Sequence, residues 1–262
     1  MTTLIAIPAR YASTRYPGKP LVSLKGPDGE KTLIRRSWEA AMAVKGVDRV
    51  VVATDDDRIR THAEAFGAEV VMTSSDAQNG TERCAEVAAK LPGYDVVVNL
   101  QGDAPLTPAW FVEDLVHGLL ADPGADIATP VLRCDGRALN GFLADRRAGR
   151  VGGTTAVFGA GMRGLYFSKE VIPFTAKTYS DDAETPVFHH VGVYAYRPAA
   201  LAAYPTWPIG PLETLEGLEQ LRFLENGRQV LCVEVQAKGR QFWELNNPSD
   251  VPVIEAMMAE MG

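Results

Sequence analysis

Three cysteines in 262 residues, Cys84, Cys134 and Cys232, leave no basis for a disulfide framework. They are far apart and odd in number, and no Cys-x-x-Cys or paired Cys/His spacing accompanies them. A structural zinc site is not expected, a reducing compartment fits, and each cysteine reads as a small buried hydrophobe. No apolar run approaches the roughly 20 residues of a membrane span. The first apolar run is too short for the core of a signal peptide and meets Arg10 at once. Positive charge is not in excess either: the formal net charge is -7, which argues against a general electrostatic footprint for nucleic acid. No internal repeat, low-complexity tract or clear linker interrupts the chain. The expectation is a cytoplasmic protein with no membrane insertion and no nucleic-acid partner.

What is present is enough apolar material, 46% of the residues, for one large core or one domain with a small appendage. The cations are locally concentrated. Ile5-Ala6-Ile7 reads as a buried strand that stops at Pro8. The loop after it carries Arg10, Ser13, Thr14, Arg15, Gly18 and Lys19. In open α/β sheets ligands bind outside the carboxyl ends of the strands. Three cations and exposed backbone N–H groups there can hold phosphate oxygens, although a solvated basic loop has the same composition.

Further along, residues 32–44 show helical spacing, and 49–54 form a continuous apolar run of the kind found in buried parallel strands. Asp55-Asp56-Asp57 can cap the helix running to Phe66 or serve a ligand. Residues 68–72 read as a strand and 81–91 as a helix. A helix starting after Gly80 offers free N–H groups to an anion or carbonyl. Arg83 in its first turn opposes the helix dipole, which a bound ligand or simple solvation would explain. The strand 95–100 delivers Gln101-Gly102-Asp103. An Asp there can hold Mg²⁺ beside a nucleotide or can be a turn residue. A helix over 108–121 and a strand over 127–131 complete a β-α-β alternation, which implies a mostly parallel sheet with right-handed crossovers.

Residues 141–161 hold six glycines and read as extended or mobile, and 174–186 as an exposed loop. Strands are expected over 164–168, 189–196 and 230–235. One helix is expected over 212–225, stopped by Asn226-Gly227, and a last helix over 250–260.

The motifs taken together resemble one family. Residues 7–21 are similar to the opening signature of the CMP-Kdo synthetases, the cytidylyltransferases for 3-deoxy-manno-octulosonate (Kdo). The resemblance continues in order through residues 52–55, 80–83, 99–103, 165–168, 190–194, 211–213 and 218–222, and so covers nearly the whole chain. It implies a Rossmann-like nucleotidyltransferase fold, α/β, with a mostly parallel sheet and helices on both faces. It also implies a single domain over 1–262 with a less regular insertion around 133–190 for acceptor binding or dimerisation, and a homodimer.

The implied activity is transfer of CMP from CTP to the anomeric hydroxyl of an acidic sugar, most simply Kdo, with Mg²⁺ and release of pyrophosphate. The resemblance assigns Lys19, Arg10 and Asp103 to catalysis. It places Arg10, Ser13, Arg15, Lys19, Gly80 and Arg83 on the nucleotide, Gln101, His190, Tyr194 and Glu213 on the acceptor, and Asp103 and Asn246 on the metal. His190 and Tyr194 could equally be core residues, and Glu213 an acidic first turn.

Four departures stand out. Ala104 replaces a glutamate, Lys169 an arginine, residues 145–163 follow another pattern, and Asn246 stands where the family has a metal-binding aspartate. An amide oxygen coordinates a hard cation but brings no charge, so Glu244 or Asp250 could compensate. The departures leave open a different acid acceptor (an 8-amino octulosonate, another sugar acid or a phosphonate) or a nucleotide-binding homologue without catalysis.

Overall fold

The computed structural model describes residues 1–12, 16–151, 153–240 and 243–260. The chain forms two compact units, one of residues 1–113, 195–202 and 237–262, the other of 114–194 and 203–236.

The first unit begins with β1 (Thr3–Ala9), followed by the hairpin β2 (Ser23–Gly26) and β3 (Gly29–Thr32). Next come α1 (Leu33–Met42), β4 (Arg49–Thr54), α2 (Asp57–Ala65), β5 (Glu69–Met72), α3 (Gly80–Lys90) and β6 (Val96–Leu100). The strand order β5-β4-β1-β6 is parallel throughout. Leu4, Ile5, Ala6 and Ile7 are fully buried, as continuous apolar runs are when a parallel sheet is covered on both faces. Each large side chain so buried contributes roughly 1.5–3 kcal/mol. The register sets Ala9 opposite Thr54 and Ala6 opposite Asn99. The residues that follow these strands, Arg10, Asp55 and Gln101, therefore emerge at one edge.

In the second unit, α4 (Ala109–Ala121), which starts in the first, leads to β7 (Ile127–Asp135), α5 (Gly136–Arg147), β8 (Thr154–Phe158), β9 (Gly164–Ser168) and β10 (Glu184–His190). The chain then runs through β11 (Val193–Tyr196) and α6 (Pro198–Ala203), of which residues 195–202 belong to the first unit, before the second unit resumes with α7 (Pro211–Glu216), α8 (Leu221–Glu225) and β12 (Val230–Glu234). The ladder β7-β10-β8-β9 is antiparallel, and β12 pairs β7 in parallel. The final helix, α9 (Val251–Glu260), returns to the first unit. Among the described residues no helix is long and apolar enough to cross a membrane.

Several expectations need correction. Of residues 141–161, expected to be extended or mobile, 141–147 instead lie in the helix α5, while 154–158 are extended as the strand β8. Six glycines outweighed the spacing of Leu139, Phe142 and Leu143, which pack with Cys134 and Val187. Asp135 caps α5 by accepting from Ala138 N at 2.7 Å. The strand expected over 189–196 breaks at Val191-Gly192, and the helix over 212–225 breaks at Gly217. That glycine takes the left-handed conformation (φ 62°) that closes a helix. The hairpin β2–β3 was not expected, although Pro27-Asp28-Gly29 carries its turn signal, with Gly29 at φ 99°.

Candidate active site

In the first unit the Asp103 turn is held from three sides. Ser37 of α1, fully buried, donates its hydroxyl to the Gly102 carbonyl at 3.0 Å. The Leu245 amide donates to the Asp103 carbonyl at 2.9 Å. Gly102 lies so close to β1 that a Cβ there would stand 2.7 Å from the Pro8 carbonyl oxygen. Behind the turn, Leu106 and Leu245 share a core cluster with Leu24, Leu33, Ile254 and Met258. That cluster carries the stretch containing Asn246 to the Asp103 turn. Ser37 was not singled out from sequence, because nothing local marks a helix serine as the support for a turn 65 residues away.

Lys19 begins a short 3-10 turn (Lys19–Leu21) after Gly18, whose φ of 71° suits glycine. Gly18 N donates to the Tyr11 carbonyl at 2.9 Å, bringing Lys19 back towards the strand ends. There its Nζ lies 2.6 Å from Asp103 Oδ2, with both side chains partly exposed. Arg10 is exposed just beyond β1. Ser13 and Arg15 lie outside the described residues. The structure thus joins Lys19 to Asp103 and sets Arg10 at the same edge.

Gly80 opens α3, whose N-cap, Asn79, accepts from Glu82 N at 2.9 Å. Arg83 is buried. Its guanidinium donates to the Thr73 hydroxyl and to the Ser74 carbonyl, and pairs with Asp55 at 3.3 Å. Its charge is met by protein groups at the ends of β4 and β5, which resolves its unfavourable place on the helix dipole. Asp56 is the N-cap of α2, accepting from Arg58 N at 2.9 Å, so capping accounts for that residue of the acidic run.

On the metal side, Asp250 Oδ2 accepts from Asn246 N at 2.8 Å and from Asn247 N at 2.6 Å. That oxygen is committed to the turn before α9. Ala104, fully buried, brings no second acid to the Asp103 turn. Among the described residues no three His, Cys, Asp or Glu side chains converge. Asp103 and Asn246 offer one carboxylate and one amide. Mg²⁺ is usually held by one or two carboxylates together with substrate phosphates and water, so this donor set fits an ion that arrives with a triphosphate.

In the second unit, His190 Nε2 lies 2.8 Å from Thr129 Oγ1, and the ring packs against Phe167 and Tyr194. Burial, then the neighbouring His189, pushes the His190 pKa down to about 3, so the imidazole is neutral. Tyr194 donates its hydroxyl to Gln220 Oε1 at 3.0 Å. Gln220 is buried, and its Nε2 has no partner among the described residues. It is therefore a donor beside the expected acceptor residues. The sequence marked it only as part of a motif, since a glutamine in a helical stretch carries no signal of its own.

Glu213 is buried in a two-pronged pair with Arg222, with Nε to Oε2 and Nη2 to Oε1 both 2.7 Å. Arg222 also stacks on Tyr204 at 4.1 Å. The first turn of α7 is capped by Glu225, which accepts from Leu212 N and Glu213 N. Both Glu213 oxygens thus have a cationic partner inside the unit. Glu216 accepts from the Ser168 hydroxyl, the Tyr166 hydroxyl and the Lys169 amide. This gives the Tyr-Phe-Ser stretch a structural duty. The cysteines remain thiols, and burial raises Cys134 and Cys232 to about 12, which makes them unreactive.

Comparison with known proteins bears on the family and the fold. A family model described as cytidylyltransferase matches residues 4–230. The chain is 43% identical, over all of its length and 99% of the relative's, to 3-deoxy-manno-octulosonate cytidylyltransferase of Maricaulis maris. The protein of the same name in Chlamydia pneumoniae is 40% identical over 95% of this chain and 91% of that one. A solved structure of CMP:2-keto-3-deoxy-manno-octonic acid synthetase complexed with CTP superposes with a TM-score of 0.84 at 33% identity, each chain fully covered. With its motifs in order and its fold matched from end to end, this chain belongs to the 3-deoxy-manno-octulosonate cytidylyltransferase family.

Proposed function

We propose that this protein transfers CMP from CTP to Kdo, releasing pyrophosphate. The observation that carries the reading is the joined Lys19–Asp103 pair at the strand edge where Arg10 also emerges, within a chain of this family. The anomeric hydroxyl of the sugar acid attacks the α-phosphorus and gives up its proton to solvent, the bond from the α-phosphorus to the bridging β-phosphate oxygen breaks, and pyrophosphate leaves. Phosphoryl transfer rests mainly on positioning and charge neutralisation. Lys19 and Arg10, with Arg15 of the same loop, supply that charge to the triphosphate, and Ser13 supplies a hydroxyl donor. Gly80 lets the start of α3 approach the nucleotide. Arg83 acts on the nucleotide from beneath, by fixing the ends of β4 and β5.

Mg²⁺ held by Asp103 and Asn246 would neutralise phosphate charge and help orient the leaving group. In the first unit Gln101 is the group that meets the acceptor; within the second, His190, Tyr194 and Gln220 form a neutral hydrogen-bonding set of the kind that suits hydroxyls. Glu213, expected on the acceptor, holds Arg222 within the same unit. The enzyme works in the cytoplasm as a homodimer; the exposure of Leu165 (64%) and Leu215 (82%) in the second unit supports the dimer.

The test is pyrophosphate release from CTP, Mg²⁺ and a panel of acids. Kdo should give the highest turnover. A higher rate with an amino-substituted octulosonate or a phosphonate would move the assignment to that acid, and binding of CTP without turnover on any acid would overturn the catalytic reading. The substitutions at Ala104, Lys169 and Asn246 are what make the panel necessary.

A further inference from the structure

The hydroxyl of Tyr196, at the end of β11, lies 2.7 Å from Thr81 Oγ1 and 3.5 Å from Asn99 Nδ2. All three side chains are buried. Thr81 is in the first turn of α3, and Asn99 lies in β6 two residues before Gln101. One phenol therefore ties three elements together directly beneath the turn that carries Gln101 and Asp103.

Packing alone does not account for the polar group at position 99. Asn99 Oδ1 is buried with no partner among the described residues, a cost of about 1–3 kcal/mol that an apolar residue of similar shape avoids. What the amide gains is an orientation. A Cβ added at Gly80 would stand 2.9 Å from Asn99 Nδ2 and 3.3 Å from Gln101 Nε2. Gly80, Asn99 and Gln101 share one small space, so whatever holds Asn99 and the first turn of α3 also sets the surface against which the Gln101 amide rests.

We propose that Tyr196 is a positioning residue for the transfer reaction, its hydroxyl acting through Thr81 and Asn99 to seat the Gln101 amide. This deepens, and rests on, the reading of Gln101 as a group that meets the acceptor. Tyr196→Phe keeps the buried ring and removes the hydroxyl that makes the tie. Thr81→Val removes it from the helix side, and Thr81→Ser restores a hydroxyl.

The experiment is steady-state kinetics on the full chain with CTP, Mg²⁺ and Kdo, with thermal unfolding of each variant measured alongside. Tyr196→Phe and Thr81→Val should each lower acceptor kcat/KM by about 10- to 100-fold, the loss expected when a reacting geometry slips by about an ångström. The KM for CTP should stay within about twofold, and Thr81→Ser should be close to the parent. Gln101→Ala should be impaired alone, and adding Tyr196→Phe to it should cost less than about twofold more. Losses that multiply in the double variant, or that only track the unfolded fraction, would overturn the proposal. A silent Tyr196→Phe beside an impaired Gln101→Ala overturns it and leaves the Gln101 reading standing. A silent Gln101→Ala overturns both.

Discussion

Lys19 Nζ sits 2.6 Å from Asp103 Oδ2, across 84 residues of sequence. The cation expected to grip phosphate and the acid expected to hold metal therefore neutralise each other. In the proposed reaction a phosphate oxygen would compete with Asp103 for Lys19, and a metal ion would compete with Lys19 for Asp103, so binding of one would free the partner for the other. Asp103→Asn should release Lys19 for the triphosphate. CTP affinity measured calorimetrically in EDTA should hold or rise, while turnover falls by at least about 100-fold. Loss of CTP binding in that variant would refute the exchange. Lys19→Ala should lower both CTP affinity and turnover, with the fold intact by circular dichroism.

Asn246→Asp restores a carboxylate on the stretch that Leu245 N ties to the Asp103 carbonyl. Ligand charge count tunes affinity for hard cations. The Mg²⁺ concentration for half-maximal turnover should fall by about tenfold, equivalent to about 1.4 kcal/mol. An unchanged metal titration would show that residue 246 does not meet the ion.

Gly102→Ala tests the support of the Asp103 turn. Its Cβ would enter the space of the Pro8 carbonyl oxygen, a backbone atom that cannot rotate away. Turnover should fall by about 100-fold as the turn shifts, with thermal unfolding also lowered. A variant with parental kinetics would mean that the turn moves without consequence.

Glu213→Ala removes the carboxylate that pairs with the buried Arg222 guanidinium. Removing one partner of a buried pair costs about 3–5 kcal/mol, to be read from urea unfolding. Glu213→Gln should recover only part of this, because the amide replaces one accepting oxygen with a donor. A loss of activity in Glu213→Ala with parental stability would instead indicate a direct acceptor contact.

His190 gives stability a pH dependence of known sign. Its folded pKa, about 3, lies below the ordinary value of 6.5, so the unfolded chain binds the extra proton between these limits. Stability from this group is complete above pH 6.5 and is lost as pH falls towards 3. At pH 5 the loss is about 2 kcal/mol relative to pH 7. Unfolding free energies at the two pH values should differ by that much less in His190→Gln than in the parent. Equal slopes would mean that His190 is not the buried neutral base.

The parallel half of the fold was legible because its signals are local. Residues 50–53 and 96–98 are continuous apolar runs, and the acidic run that holds the cap Asp56 stands where the start of α2 requires it. The second unit was harder to read. Its glycines masked the apolar spacing of α5, and its breaks at Gly192 and Gly217 interrupt patterns that look continuous. The site divided in the same way. Motif order offered Arg10, Lys19, Asp103, His190 and Tyr194 as candidates and reached Gln220 only as a motif member, whereas Ser37 and Tyr196 carry no local signal.

By itself the sequence determined which strands are buried, where the cations gather and to which family the chain belongs, since residue type and order carry those properties directly. Only the tertiary structure decided that Lys19 meets Asp103, that Glu213 is held by Arg222, and that Asp250 closes a turn. Those partners lie 84, 9 and 4 residues apart, and which of a charged side chain's many candidate partners it meets is set by packing of the core behind it, here Leu106 and Leu245 beneath the Asp103 turn.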